Sequence, residues 1–268
     1  MRYVVFLVLL GCVACSAATL IDPFNLPQNN CNESLGYPYS SCDVMGDPLL
    51  FDIQKADVSI TGGVATVSLY FNTGGVTTDH NGNMTLGAFS VGSVSLIVGD
   101  LFFLRPDTVY DPADPNTTQY LKFGVPLMNH GSFVAGNLYK VGGAVTTETA
   151  LQSLNDNSDL YRRNETVLMT GSGTAVGTGS GVTVTNNGNG TTTGALYKVT
   201  VSVPTSAADF LSIVVDNQVG ILFSSADCGN DVIQSPVPEP PASVLLGAGL
   251  GLVLLGAWRR RARAPSGK

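Results

Sequence analysis

The sequence predicts an all-β fold, a jelly-roll-like β-sandwich built by residues 19–235. Residues 65–71 and 197–203 alternate apolar and polar side chains, which is the period of a strand with one buried face. Three Asn-Gly pairs lie between these runs and suit tight hairpin turns. Of the 268 residues, 44% are hydrophobic and only 12% are charged. This balance excludes a charge-rich disordered chain and a long coiled coil.

The N-terminus has the features of a secretory signal. An arginine follows the initiator methionine, and an apolar stretch then leads to small residues. Ser16 and Ala18 stand at the −3 and −1 positions that signal peptidase requires, so we expect residues 1–18 to be a signal peptide cut after Ala18. Such export implies the Sec translocon and signal peptidase as partners. Two alternatives remain, a buried N-terminal strand and a lipoprotein in which Cys12 is lipidated.

The cysteines that would remain after this cut are Cys31, Cys42 and Cys228. Thiols outside the cytoplasm tend to form disulfides. Cys31 and Cys42 lie eleven residues apart in a turn-rich stretch, so we favour a disulfide between them, which leaves Cys228 unpaired. The sequence allows three pairings and does not choose among them. The spacing does not resemble that of a zinc site.

The strand pattern continues through the middle of the chain. Short apolar stretches predict further strands, at Leu49–Ile53, Phe89–Val98, Leu101–Leu104, Tyr120–Val125, Phe133–Val141, Thr166–Thr170, Val182–Thr185, Leu211–Val215 and Val219–Phe223. The last two flank Asp216–Gln218 and are predicted to form a hairpin. A helix is indicated only at Thr147–Leu154, over two turns at most. About ten short strands in this length favour a sandwich over a barrel.

A low-complexity segment interrupts the pattern. Residues 170–194 contain eight Gly and eight Thr and few apolar side chains. Such a segment buries little surface, so we expect a solvated, mobile excursion or, alternatively, a long hairpin. No Pro-rich linker divides residues 19–235, which predicts one domain.

The sequence contains no catalytic motif that we could identify. It lacks a Gly-x-Ser-x-Gly elbow, a phosphate-binding glycine loop, a His-Glu-x-x-His pair and a dinucleotide fingerprint. Both histidines, His80 and His130, lie in turn-like stretches and are predicted to be surface residues rather than bases. We therefore expect no catalytic residues and no enzyme activity. The alternative is a secreted carbohydrate-active hydrolase or lyase that uses paired carboxylates.

Two acidic loops are candidate calcium sites, with solvated surface turns as the alternative. The first offers three carboxylates and one amide, from Asp107, Asp111, Asp114 and Asn116. Oxygen ligands of this kind are those that Ca²⁺ prefers. The second begins at Asp79 and imitates only the start of an EF-hand loop. No other cofactor is predicted.

The C-terminus combines three unlike elements in order. Val237, Pro238, Glu239 and Pro240 come first, and an uncharged stretch follows that predicts a transmembrane helix over residues 241–258. A cluster of four arginines then follows, Arg259, Arg260, Arg261 and Arg263. Positive charge beside a span stays in the cytoplasm, so the body of the chain is expected outside.

This tail, residues 236–268, resembles the PEP-CTERM sorting signal of Gram-negative bacteria. The resemblance implies recognition and cleavage near Pro238–Pro240 by exosortase, a membrane-embedded cysteine protease. It also implies a transient stay in the inner membrane, then release or transfer to the cell surface, and an association with exopolysaccharide and biofilm. The sequence departs from the pattern at Pro241, where members often carry Ser or Thr, which puts the cut position in doubt.

Charge separates the body of the chain from its ends. Residues 19–235 hold seven basic and 19 acidic residues, a net charge of −12. An acidic body argues against nucleic acid as a partner. The sequence therefore predicts a non-catalytic protein of the cell surface or extracellular matrix, which associates with exopolysaccharide. The alternatives are the carbohydrate-active enzyme and a plain tail-anchored periplasmic protein.

Overall fold

The all-β prediction is confirmed. The computed structural model describes residues 17–21, 52–91, 94–108, 110, 117–149, 166–179, 181–189, 195–207, 209–225 and 232–234. In these ranges the chain forms antiparallel strands and two short 3-10 helices, Thr117–Tyr120 and Phe210–Ile213. The strands are β1 (Ala17–Ile21), β2 (Ile53–Thr61), β3 (Val64–Asn72), β4 (Val76–Thr78), β5 (Met84–Leu86), β6 (Phe89–Val91), β7 (Val94–Leu96), β8 (Leu101–Leu104), β9 (Phe123–Val125), β10 (Asn137–Lys140), β11 (Val145–Thr149), β12 (Thr166–Gly171), β13 (Gly177–Thr178), β14 (Val182–Asn189), β15 (Ala195–Pro204), β16 (Gly220–Ser224) and β17 (Val232–Gln234).

Two sheets account for most of these strands. In the described part of the chain, sheet I has seven strands in the order β1-β2-β3-β15-β14-β5-β4. Sheet II has six strands in the order β13-β10-β9-β8-β16-β17. The hairpin β6-β7 and the pair β11-β12 form two further two-stranded sheets.

The centre of sheet I is the pairing of β3 with β15. Their register runs without interruption from Leu196 opposite Asn72 to Pro204 opposite Val64. Along β3, Ala65, Val67, Leu69 and Phe71 are fully buried. The side chains between them are polar and face away from the core. The alternation read from the sequence therefore gives the two faces of sheet I correctly.

A common hydrophobic core joins sheets I and II. It contains the buried apolar side chains of β2, β3 and β15 from sheet I and of β8, β9 and β16 from sheet II. Phe71 and Phe223 meet across it, with ring centroids 5.0 Å apart. Phe210 packs edge-on against Phe103 at 5.2 Å and at a tilt against Phe123 at 5.3 Å. Each buried aromatic ring of this kind contributes about 1.5–3 kcal/mol through the hydrophobic effect.

Sheet II is buried on both faces. Along β8, Leu101 and Phe103 belong to the core shared with sheet I. The alternate residues Phe102 and Leu104 belong to a second cluster on the opposite face, which also includes Met169 of β12. Burial on both sides explains why β8 is a continuous apolar run rather than an alternating one.

The predicted strands are confirmed only in part. Leu101–Leu104 is a strand as predicted, and the 216–218 turn is confirmed by a Val215–Gln218 bridge with positive φ at Asp216 and Asn217. Leu211–Val215, however, begins in a 3-10 helix. The cause is that Phe210 and Ile213 both reach the core, a spacing of three that a strand cannot provide.

The helix predicted at Thr147–Leu154 is wrong over the described residues 147–149. These residues belong to β11, which pairs with β12. Thr146 of β11 and Thr170 of β12 share a hydrogen bond of 2.9 Å between their hydroxyls. This cross-strand pair and the buried side chain of Val145 on β11 favour a strand over a short exposed helix.

The Gly/Thr-rich segment 170–194 contributes strands in its described part. β13 lies at the edge of sheet II, and β14 lies between β15 and β5 in sheet I. These two strands belong to different sheets, so they do not form a hairpin with each other. One of its glycines allows two backbones to meet closely, since a Cβ on Gly179 would clash with the backbone carbonyl oxygen of Gly136.

Other predictions fall outside the described residues. These are most of the signal peptide, Leu49–Phe51, the cysteines Cys31, Cys42 and Cys228, and the whole sorting segment 236–268. Within the described ranges, no helix is long and apolar enough to cross a membrane. At the N-terminus, β1 pairs with β2 from Ala17 to Ile21 and so crosses the predicted cleavage point after Ala18.

The Phe71–Phe223 contact predicts a large stability loss on truncation. Replacing Phe71 with Ala removes a fully buried ring from the core shared by the two sheets and leaves a cavity. We expect the free energy of unfolding to fall by about 3–5 kcal/mol in urea denaturation. Val134→Ala is the control, because Val134 is 52% exposed and should change stability by less than about 0.5 kcal/mol. Similar losses in the two variants would contradict the assignment of the core.

Candidate functional site

The most deeply buried ionisable group of the described chain is Asp100. Its side chain is fully buried just before β8. The two carboxylate oxygens lie 2.9 and 3.1 Å from Nε2 of His130. One of them also accepts a 2.7 Å hydrogen bond from the backbone N–H of Met169. Asp100 therefore joins the start of β8 to the 130–133 turn and to β12.

The partner, His130, is positioned by a tight turn. The backbone N–H groups of His130 and Phe133 each donate to the other residue's carbonyl, at 3.2 and 2.9 Å. The imidazole also lies against the Phe133 ring, with centroids 5.5 Å apart. Only 13% of the His130 side chain is exposed, so the predicted surface position is wrong for this residue. It is right for His80, which is exposed in the 79–83 turn.

The pKa values of Asp100 and His130 are both raised in the folded protein. Complete burial raises the pKa of Asp100, and the hydrogen bonds from His130 and Met169 offset this only in part. Burial alone would lower the pKa of His130, but the hydrogen bond and the charge of Asp100 outweigh it and raise that pKa. The folded state therefore holds a proton on this pair more tightly than the unfolded chain does.

A histidine–carboxylate pair can serve as a proton-transfer site when the ring also contacts a substrate or nucleophile. Here Nε2 is used by Asp100. Among the residues that the structure describes, no hydroxyl or thiol hydrogen-bonds to the His130 ring. What the geometry provides is a buried polar link between three segments of the chain.

The first candidate calcium loop is described only at its start. Asp107 lies beside Arg105, whose Nε and Nη2 each donate a 3.0 Å hydrogen bond to one carboxylate oxygen. This two-point contact holds the pKa of Asp107 below its usual value. Asp111, Asp114 and Asn116 lie outside the described residues, so the site stays a prediction. The described ranges contain no cluster of three or more His, Cys, Asp or Glu suited to a metal.

The second acidic loop, residues 79–83, is held by hydrogen bonds between its own residues. One Asp79 oxygen accepts hydrogen bonds from the backbone N–H groups of Asn81 and Asn83, at 2.8 and 2.9 Å. The other accepts from the Asn83 side-chain amide at 2.9 Å. These bonds are those of an Asx turn, which explains the Asp-x-Asn-x-Asn spacing without a metal.

Asp52 and Asp57, two carboxylates that lie close together in the sequence, are in unlike surroundings. Asp52 is buried, and its carboxylate lies 3.5 Å from the Gln54 amide. Asp57 lies on the outer face of sheet I, where it accepts hydrogen bonds from Thr19 at 2.8 Å and Lys55 at 3.2 Å. Partial burial alone would raise the pKa of Asp57, but these bonds outweigh it and lower that pKa.

The outer face of sheet I carries a feature that sequence reasoning missed. Lys55 of β2 lies opposite Tyr70 of β3, and Tyr70 lies opposite Lys198 of β15. The two ammonium nitrogens are 4.1 and 5.6 Å from the centroid of the Tyr70 ring. Both distances are in the range of a cation–π contact. We call Lys55, Tyr70 and Lys198 the Tyr70 row.

Two pairs of hydroxyl groups lie beside the Tyr70 row on the outer face of sheet I. Ser68 of β3 and Thr200 of β15 lie 3.1 Å apart, and Thr66 and Ser202 of the same two strands lie 2.9 Å apart. Period-two alternation placed these side chains on one face of their strands. Bringing them together depends on the register between β3 and β15, which no local pattern reveals.

Comparisons of the chain with protein-family models, with characterised proteins and with solved structures found no significant match.

The Asp100–His130 pair predicts that stability falls at alkaline pH. Because the folded-state pKa of His130 is raised, the stabilisation from its protonated ring is complete below the ordinary histidine value of 6.5. It is lost as the pH rises through the folded-state pKa of His130. We expect the free energy of unfolding to decline once the pH rises above the ordinary histidine value of 6.5, by at most about 1.4 kcal/mol per pH unit for one proton.

Urea denaturation across this pH range measures the effect. His130→Gln should flatten the decline, whereas His80→Gln should leave it as in the parent protein because His80 is exposed. A decline that survives His130→Gln unchanged would mean that other groups cause it.

Proposed function

We propose that this chain is a non-catalytic, exported protein that an exosortase sorts to the cell surface or extracellular matrix. The observation that carries the proposal is the ordered C-terminal series of Val237–Pro240, an uncharged stretch and an arginine cluster. Each part alone is common. Their order, together with a signal-like N-terminus, favours export followed by processing.

The physical roles of the three parts are distinct. A helix over residues 241–258 would be about 27 Å long, close to the thickness of the hydrocarbon core of a membrane. Arg259, Arg260, Arg261 and Arg263 resist translocation and keep their end in the cytoplasm. Pro238 and Pro240 hold Glu239 in an extended conformation just outside the membrane, where a protease can bind its backbone.

The body of the chain would then act outside the cell, as a jelly-roll-like β-sandwich associated with exopolysaccharide. Two sheets around a common hydrophobic core give such a body a stable interior. The hydroxyl pairs on the outer face of sheet I offer donors and acceptors that match those of sugars. These contacts support the glycan association, which the sorting signal alone only suggests.

Processing provides the first test. Replacing Pro238, Glu239 and Pro240 together with Ala should leave membrane insertion intact. The protein should then stay in the membrane fraction with the mass of the uncleaved form. The parent protein should appear at the surface without the peptide that ends at Lys268. Intact-mass spectrometry of the surface and membrane fractions measures both results.

Replacing the four arginines with Ala is the matched second variant. It leaves the cleavage motif intact and should weaken the orientation of the precursor instead. Surface-released protein that still ends at Lys268 would refute exosortase sorting and favour a plain tail anchor.

A further inference from the structure

The Tyr70 row brings two like charges together in an acidic protein. Residues 19–235 carry seven basic residues against 19 acidic ones. Yet Lys55 and Lys198 lie against the same ring from the two strands that flank it. Two ammonium groups repel each other, so an anion beside either of them makes this arrangement more favourable.

The other basic side chains of the described residues are engaged locally. Arg105 pairs with Asp107, and Lys140 pairs with Asp209 at 2.7 Å. Lys122 donates to the Gln119 carbonyl at 2.7 Å. Within the described ranges, Lys198 has no carboxylate within ion-pair distance. Its ammonium group is therefore available to a ligand.

Lys55 has a different part in the same row. Its ammonium group lies 3.2 Å from Asp57, which Thr19 also binds. These contacts fix Lys55 over the Tyr70 ring and cancel one of the two positive charges. The Tyr70 row keeps one net positive charge, which is centred on Lys198. The Tyr70 ring and the ammonium group of Lys55 lie beside it.

We propose that the Tyr70 row binds a carboxylate of an acidic polysaccharide, a chain that contains uronic acid. Lys198 would pair with the carboxylate, and Lys55 would contribute its remaining donors. The Ser68–Thr200 and Thr66–Ser202 pairs lie in the next two rows of the same face, where they can hydrogen-bond the sugar hydroxyls. A row of polar side chains across strands about 4.8 Å apart suits an extended polymer better than a small molecule.

The inference rests on the proposed association with exopolysaccharide and names the chemical class of the glycan. Its charge complementarity is local, because the rest of the body is acidic and repels polyanions. Binding should therefore depend on this one row rather than on the net charge of the protein.

Affinity electrophoresis of the full-length chain tests the inference, with polygalacturonate as the acidic probe and dextran as the neutral one. We expect polygalacturonate to retard the protein and dextran to leave its mobility unchanged. Lys198→Ala should weaken binding of polygalacturonate at least about tenfold, since it removes a charge-assisted hydrogen bond. Raising the salt concentration should weaken the binding of the parent protein.

Lys140→Ala is the control for charge. It also removes one positive charge from an exposed strand position, but from β10 of sheet II, and should change binding less than about twofold. Lys198→Arg keeps the charge and should retain most of the binding. Because the half-buried Lys198 side chain lies on the polar face of sheet I and outside the hydrophobic core, thermal unfolding should show nearly the same stability in these variants.

Several results would overturn the inference. Equal weakening by Lys198→Ala and Lys140→Ala would indicate a non-specific charge effect. Retardation by dextran as strong as by polygalacturonate would refute the acidic preference but keep an association with polysaccharide. No retardation by either polymer, with normal cleavage in the processing experiment, would refute glycan binding on this face and leave the sorting proposal standing.

Discussion

The structure depends on the burial of apolar side chains between sheets I and II. Phe71 and Phe223 meet at the middle of this interface, and Phe210 extends it over β8 and β9. Since the centre of sheet II is also covered on its far face, β8 and β16 are buried on both sides and are almost entirely apolar. Among the described residues, sheet I shares a hydrophobic core through one face, and its other face carries mainly polar side chains. The polar rows considered for ligand binding exist because of this asymmetry.

The sequence predicted the parts of the fold that have a local cause. The alternation in β3 and β15 and the apolar run of β8 follow directly from which faces are buried. The sequence could not separate the 3-10 helix at Phe210–Ile213 from a strand. The choice there depends on two side chains reaching a core that distant strands build. The same reason explains why Thr147–Thr149 joined β11, because its partner β12 lies beyond a long intervening segment.

The candidate site was predicted less well, for a related reason. His130 looks like a surface histidine because it lies in a Gly-containing turn, and its buried partner Asp100 is 30 residues earlier. The Tyr70 row contains side chains from β2, β3 and β15. The cluster can therefore be recognised only when the register of these three strands is known. Motifs such as Val237–Pro240 are different, since their meaning lies in a short contiguous segment.

The pairing of β3 with β15 also constrains how the protein can be made. It joins residues 64–72 to residues 195–204, so the middle of sheet I is incomplete until almost all of the body has been synthesised. Contacts between such distant parts of the sequence make folding slow. Until then, the hairpin of β2 and β3 has an unpaired edge that can recruit other chains. A sheet assembled in this order exposes that edge for longer than one whose paired strands are also neighbours in the sequence.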